Sequence, residues 1–180
     1  DDLDVILTTF ERSPQAALAA VLLLRGVENR TIEESLIAES TTYSLLQGGA
    51  EFAQWKNHRV SKERQDLGEV EVLSERIDDH LFVTLNSPMR RNAYSSKMRT
   101  AFAEILQLAL IDESIQSVTL RGAGSNFSSG GDLDEFGFFS DSVVAHISRL
   151  TSNVGTSLNQ LRERLGTKLR CEMHGENFGA

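Results

Sequence analysis

The chain has 180 residues, a formal net charge of -8, 40% apolar residues, 13 glycines and only two prolines, a composition far from disordered or collagen-like sequence. Its charge repels phosphate backbones and no basic run with interleaved aromatics offsets it, so no nucleic-acid partner is expected. The longest apolar run, Ala16 to Leu24, is about half of the roughly 18 residues that a membrane-spanning helix needs, so no membrane association is expected. The acidic opening, Asp1-Asp2-Leu3-Asp4, is unlike a basic leader, and the single cysteine, Cys171, cannot form an internal disulfide; both fit a cytoplasmic, reducing setting.

Residues 1 to 59 predict three or four helices, because apolar positions recur at three- and four-residue spacing. Ser13-Pro14 marks a helix start, with serine as cap and proline in the first turn, and Ala16 to Leu24 should bury one broad face. Gly26 and Asn29 end that helix. Thr31 and Glu34 form a capping box for the next, which should run to about Leu46. Gly48-Gly49 breaks it, and Ala50 to His58 reads as a short helix presenting Phe52 and Trp55.

From Val60 to Gly68 the chain is polar and charged, which places a linker at 60–68 between a helical extension, 1–59, and a second domain, 69–180. Val70 to Leu85 predicts two strands joined by a tight turn at Asp78-Asp79-His80. Met98, Phe102, Ile105, Leu106, Ala109 and Leu110 mark an amphipathic helix after Ser95-Ser96. A strand at Ser117 to Arg121 ends in Gly122-Ala123-Gly124. Then come a short acidic helix near Leu133 to Phe136, a long helix from about Asp141 to Leu165, and a last strand from Leu169 to Met173. Hairpin, helix, strand, helix, strand is βαβ logic, in which ligands sit at the carboxyl ends of the strands. Two glycine-bearing loops stand there, Phe127-Ser128-Ser129-Gly130-Gly131-Asp132 and the segment from His174-Gly175.

Four pieces in order carry a family likeness: Val83-Thr84-Leu85-Asn86-Ser87-Pro88, Arg91-Asn92-Ala93, Gly122-Ala123-Gly124, and Phe127-Ser128-Ser129-Gly130-Gly131-Asp132-Leu133. They resemble the amino-terminal signature of the crotonase superfamily, the enoyl-CoA hydratase/isomerase family. His174-Gly175-Glu176-Asn177-Phe178-Gly179-Ala180 resembles the start of that family's second loop. The resemblance covers roughly residues 69 to 180. It implies an α/β fold: an incomplete crotonase-like (ClpP/crotonase) ββα-repeat core, here preceded by an all-helical extension.

The resemblance further implies that two backbone N–H groups grip the carbonyl oxygen of an acyl-CoA thioester and stabilise an enolate-like anion. Ser129 is expected to supply the first N–H and Ala180 the second. Gly130, Gly131 and Gly179 let backbone approach the substrate. Asp132 caps the helix that follows. Arg90 and Arg91 are expected near the CoA phosphates, and Asn92-Ala93 beside the pantetheine arm. No separate cofactor is implied, since coenzyme A enters as part of the substrate. The family's acid/base carboxylates lie beyond its second loop, after Ala180, so the fragment is expected to be inactive alone. By the same resemblance the partners are an acyl-CoA and either further copies, as a trimer or hexamer, or a completing second chain.

Three readings stay open: hydratase or isomerase chemistry, cofactor-independent acyl-CoA dioxygenation, and non-catalytic CoA binding or assembly. The second follows a likeness of the helical extension to the subgroup that includes the dioxygenase acting on dihydroxyphenylacetyl-CoA, carried by Glu39-Ser40, Tyr43 to Leu46 and Glu51-Phe52 ahead of Trp55. The four histidines, His58, His80, His146 and His174, share no metal-ligand spacing, and no metal is expected. Cys171 is expected in a buried strand as a small apolar residue, and Ser128-Ser129 lacks the elbow of a serine hydrolase.

Overall fold

The computed structural model describes residues 2–60, 68, 70–137 and 141–178. Most of the expected linker, together with Gly179 and Ala180, lies outside them. The chain divides into two compact units: 1–61 with 137–151, and 62–136 with 152–180.

The first unit holds helices α1 (Asp2–Arg12), α2 (Pro14–Arg25), α3 (Ile32–Gln47), α4 (Ala50–His58) and α6 (Ser142–Thr151). Local signals set their limits. Pro14 opens α2, although the Ser13 side chain makes no capping bond. Thr31 and Glu34 form the full reciprocal box, Oγ accepting from the Glu34 N–H and the carboxylate from the Thr31 N–H, so two orphan donors of α3 are satisfied. Phe52 and Trp55 on α4 stack with centroids 5.4 Å apart.

Burial here differs from expectation. The Ala16 to Leu24 face does not close over: α2 packs on α1 and α3 yet buries no residue, and Leu18, Leu22 and Leu24 are all more than half exposed. The centre of this unit is polar instead. Ser40 and Ser44 of α3 are buried beside α6, where Arg149 donates to the Ser40 Oγ at 3.2 Å, to the Ser40 carbonyl at 3.3 Å and to the Ser44 Oγ. The guanidinium lies 4.6 Å from the Tyr43 ring centroid, and His146 Nδ1 meets the Ser40 Oγ at 2.9 Å. Partial burial pushes the Tyr43 phenol above its ordinary range, with Arg149 pulling the other way.

The second unit holds β1 (Val72–Ile77), β2 (His80–Leu85), α5 (Ser96–Ile111), β3 (Ser117–Gly122), α7 (Val154–Leu165) and β4 (Leu169–Glu172), in a sheet of order β1-β2-β3-β4. The hairpin β1–β2 is antiparallel, turned by Asp78 at φ 55°, and β2–β3 and β3–β4 are parallel. Leu81, Val83 and Leu85 alternate inward on β2 and meet Val118 and Leu120 of β3. Onto that face pack Met98, Phe102, Leu106 and Ala109 of α5 and Leu161 of α7, all buried. Ser95 caps α5 by accepting from the Met98 N–H, and Glu71, itself buried, accepts from the Ser95 hydroxyl.

Two expectations fail in this part of the chain. The single helix from Asp141 to Leu165 is two, because Asn153 caps α7 by accepting from the Thr156 N–H, and α6 groups with the first unit. Cys171 is exposed, not buried, because β4 is the outer strand and only its first residue, Leu169, is even half-covered. Desolvation first and the Glu172 carboxylate second still push its thiol upward, away from reactivity.

Candidate functional site: three loops at the carboxyl ends of the strands

The chain leaves β2 through Asn86, Ser87 and a 3₁₀ turn, Pro88–Arg90. Arg91 and Asn92 follow in the left-handed region at φ 54° and 53°, a conformation that asparagine tolerates better than most residues. Asn92 is fully buried. Its Oδ1 accepts from the Ser87 N–H at 2.8 Å, and its Nδ2 donates to the carbonyls of Ala123 at 2.9 Å and Asn126 at 2.8 Å. That one amide joins the loop after β2 to the loop after β3. The Asn92 side chain is committed to protein groups.

The loop after β3 then folds along the same turn. The Ser128 hydroxyl donates to the Asn92 carbonyl at 2.9 Å and accepts from the Gly130 N–H at 3.1 Å. The Ser129 N–H donates to the Arg91 carbonyl at 2.9 Å. Ser129 is therefore not the free donor anticipated; its amide already has a protein acceptor. One step further on, Tyr94 and Gly131 form a parallel bridge, in which the Tyr94 N–H donates to Gly130 O at 2.8 Å and the Asp132 N–H to Tyr94 O at 3.1 Å. Successive amides of an extended segment point to opposite sides, so the Gly131 N–H is turned away from Tyr94. Among the described residues it has no acceptor, and Gly131 is exposed.

Asp132 caps a 3₁₀ turn, Leu133–Glu135, accepting from the Asp134 N–H at 3.0 Å. The same Oδ1 takes Arg90 Nη2 at 2.8 Å, and Asp134 takes that nitrogen at 3.0 Å. Partial burial works against the Arg90 charge, but Asp132 and Asp134 together hold it above its ordinary range. Arg90 is thus engaged by two carboxylates, where a phosphate contact was expected. Arg91 is largely exposed, with Glu176 at 3.8 Å, a surface pair of small energetic consequence. Ala93 donates its N–H to the Arg90 carbonyl at 3.1 Å and closes the turn.

The third loop arrives from β4. The Phe127 N–H donates to His174 O at 2.9 Å, Asn126 Nδ2 to Glu176 O at 3.0 Å, the Phe178 N–H to Ser128 O at 3.3 Å, and His174 Nε2 meets Gly124 O at 3.1 Å. Gly175 sits at φ 70°, and a Cβ there would fall 2.1 Å from the Ser125 carbonyl oxygen. On the other side of the same turn, a Cβ on Gly122 would fall 2.5 Å from Phe127 O. Sequence reasoning missed Asn126, His174 and Asn177 as loop-joining residues; the polarity of Glu176-Asn177 was the available signal, and Asn177 Oδ1 does reach the Ser128 N–H at 3.4 Å.

Among the described residues no three His, Cys, Asp or Glu side chains gather as a metal site, and no helix is long and apolar enough to cross a membrane. An open pocket of about 320 Å³ lined by Asp79, His80, Gln116, Ser117, Lys168 and Arg170 lies at the amino ends of β2 and β3, away from the loops.

No family model matches the chain. It is similar to the 3-hydroxyisobutyryl-CoA hydrolase-like protein 5 of Arabidopsis thaliana, 32% identical over 77 residues that cover 43% of this chain and 20% of that protein. It is also similar to the probable enoyl-CoA hydratase echA12 of Mycobacterium bovis, 38% identical over 69 residues, 38% of this chain and 22% of that one. The chain thus matches about a fifth of the length of these relatives. A solved enoyl-CoA hydratase/isomerase from Marinobacter aquaeolei overlaps 58% of this chain and 41% of its own at 26% identity and a TM-score of 0.48. With the signature segments standing in order from Val83 to Phe178 and the sequence matches to enoyl-CoA hydratases, this part of the chain is similar to the crotonase superfamily.

Proposed function

We propose that the complete protein processes acyl-CoA thioesters by enoyl-CoA hydratase/isomerase-type chemistry, and that the Gly131 N–H is the first donor to the thioester carbonyl oxygen. The observation that carries this reading is the amide of the exposed Gly131, which has no acceptor among the described residues and is set between two amides that are both engaged, those of Gly130 and Asp132. A fixed N–H costs no reorganisation when negative charge develops on the oxygen, which is why such donors accelerate enolate-forming steps. Ser129 and Asn92 then act behind that donor, holding the loop, and Gly130 at φ 82° lets it turn. The second donor, by family resemblance, falls at Ala180, and the acid/base groups would come from residues beyond it.

The test is spectroscopic. A carbonyl-labelled acyl-CoA bound to the protein should show its thioester stretch moved to lower frequency, and replacing the Gly131 amide by an ester, which deletes the N–H and weakens the Gly130 carbonyl only as an acceptor for Tyr94, should abolish that movement. In a form with turnover, the loss should be about 10²–10³-fold in rate. Binding of coenzyme A thioesters without any movement of the stretch would instead favour a non-catalytic CoA-binding module.

A further inference from the structure

We infer that Asn92 is a positioning residue for the Gly131 amide, acting through the turn it forms with Arg91 rather than by touching substrate; this rests on Gly131 being the thioester donor. Three observations converge. Arg91 and Asn92 are consecutive left-handed residues, so their successive carbonyls are both presented to the loop after β3. Those two carbonyls hold it: Arg91 O takes the Ser129 N–H at 2.9 Å, and Asn92 O takes the Ser128 hydroxyl at 2.9 Å. The Ser128 Oγ in turn accepts from the Gly130 N–H at 3.1 Å, so the amides of Ser129 and Gly130 are both anchored through this turn. What remains without an acceptor among the described residues is the Gly131 N–H, which faces away from Tyr94.

The turn itself is fixed by the Asn92 side chain. It reaches Ser87 behind it and Ala123 and Asn126 across from it, at 2.8 to 2.9 Å, with no exposed surface. No other side chain carries an acceptor and two donors in so short a reach: aspartate supplies the acceptor alone, and serine has a single hydroxyl proton. The orientation of the donor is therefore set some forty residues upstream in the chain, by a group that never meets the ligand.

The experiment compares the full chain with Asn92→Asp, which retains the acceptor for Ser87 and loses both donations, and with Ser128→Ala, which removes only the hydroxyl linking Asn92 O to the Gly130 N–H. Folding is followed by circular dichroism, affinity by titration with a carbonyl-labelled acyl-CoA, and donor aim by the frequency of the bound thioester stretch. The expected result is folded protein, unchanged affinity, and a bound stretch returned toward its free value, with turnover in an active form down about 10²-fold in kcat and little altered in KM. A purely structural role would lower the unfolding midpoint and leave the stretch where it was. Folded variants that retain the wild-type stretch overturn the inference while the Gly131 reading stands, and if Asn92→Asp does not fold, Ser128→Ala decides alone. A wild-type chain whose bound stretch never moves overturns both.

Discussion

The two units of the chain are held by different means. In the sheet unit, apolar side chains from β2, β3, α5 and α7 interdigitate, and Met98, Leu106, Val118 and Leu161 have no exposed surface. In the helical unit the described buried residues are Ser40, Ser44 and Ala145, and the helices meet around a guanidinium and two serines. The difference teaches that helix boundaries and a helix core are separate properties of a sequence. A proline, as at Pro14 of α2, or a capping box, as at Thr31 of α3, can delimit a helix in a unit whose apolar side chains stay largely in solvent.

Core truncation should separate the units most sharply. Leu161→Ala or Leu106→Ala should cost about 2–5 kcal/mol by denaturant titration, because each leaves a void among well-packed neighbours. Leu22→Ala, at a side chain 57% exposed, should stay within about 0.5 kcal/mol. Equal losses at the two sites would erase the contrast.

Arg149→Met comes next. It strips the charged donor from Ser40 and Ser44 and should destabilise the helical unit by about 1–3 kcal/mol, seen as faster amide exchange in α3 and α6 with β2 and β3 unchanged. Thr31→Ala should cost about 1 kcal/mol through the lost cap, read as fraying of the first turn of α3.

The smallest effect is one of pH. Bonds from the Thr31 backbone and side chain, in that order, hold the Glu34 carboxyl below its usual 4.5. A depressed carboxylate contributes stability above its unfolded pKa and loses it as pH falls through the folded value, so the capping box should open only in acid, below about pH 4.5. Amide shifts of Thr31 and Glu34 followed down that range would show it, and a transition above pH 4.5 would contradict it.

Much of the fold was legible because its signals are local. The Thr31–Glu34 box, the turn at Asp78-Asp79, the amphipathic helix after Ser95-Ser96 and the strand ending at Leu85 each follow from residue type and spacing. The break before Asn153 was not, since a mid-pattern asparagine becomes a cap only when its side chain turns back to Thr156. Burial in α2 was overestimated because an apolar run shows what could be covered, not what covers it.

At the site, the motif order identified the loop but not the amide. Ser129 and Gly131 are two residues apart, and a pairing partner, not sequence, decides which N–H lacks an acceptor among the described residues: Arg91 takes one, and the Tyr94 bridge turns the other away from its partner strand. Arg90 likewise looked available for phosphate until Asp132 and Asp134, some forty residues on, closed around it.

The turn from Ala123 to Phe127 lies between Gly122 and Gly175 with no clearance for a methyl group on either side. A single added carbon at either glycine is therefore a wedge. Gly122→Ala would press on Phe127 and Gly175→Ala on Ser125, and either displacement would travel along the backbone into Ser128 and the residues after it. The fold of the second loop onto the end of β3, and its spacing from the third, are in this sense each calibrated by a single hydrogen atom.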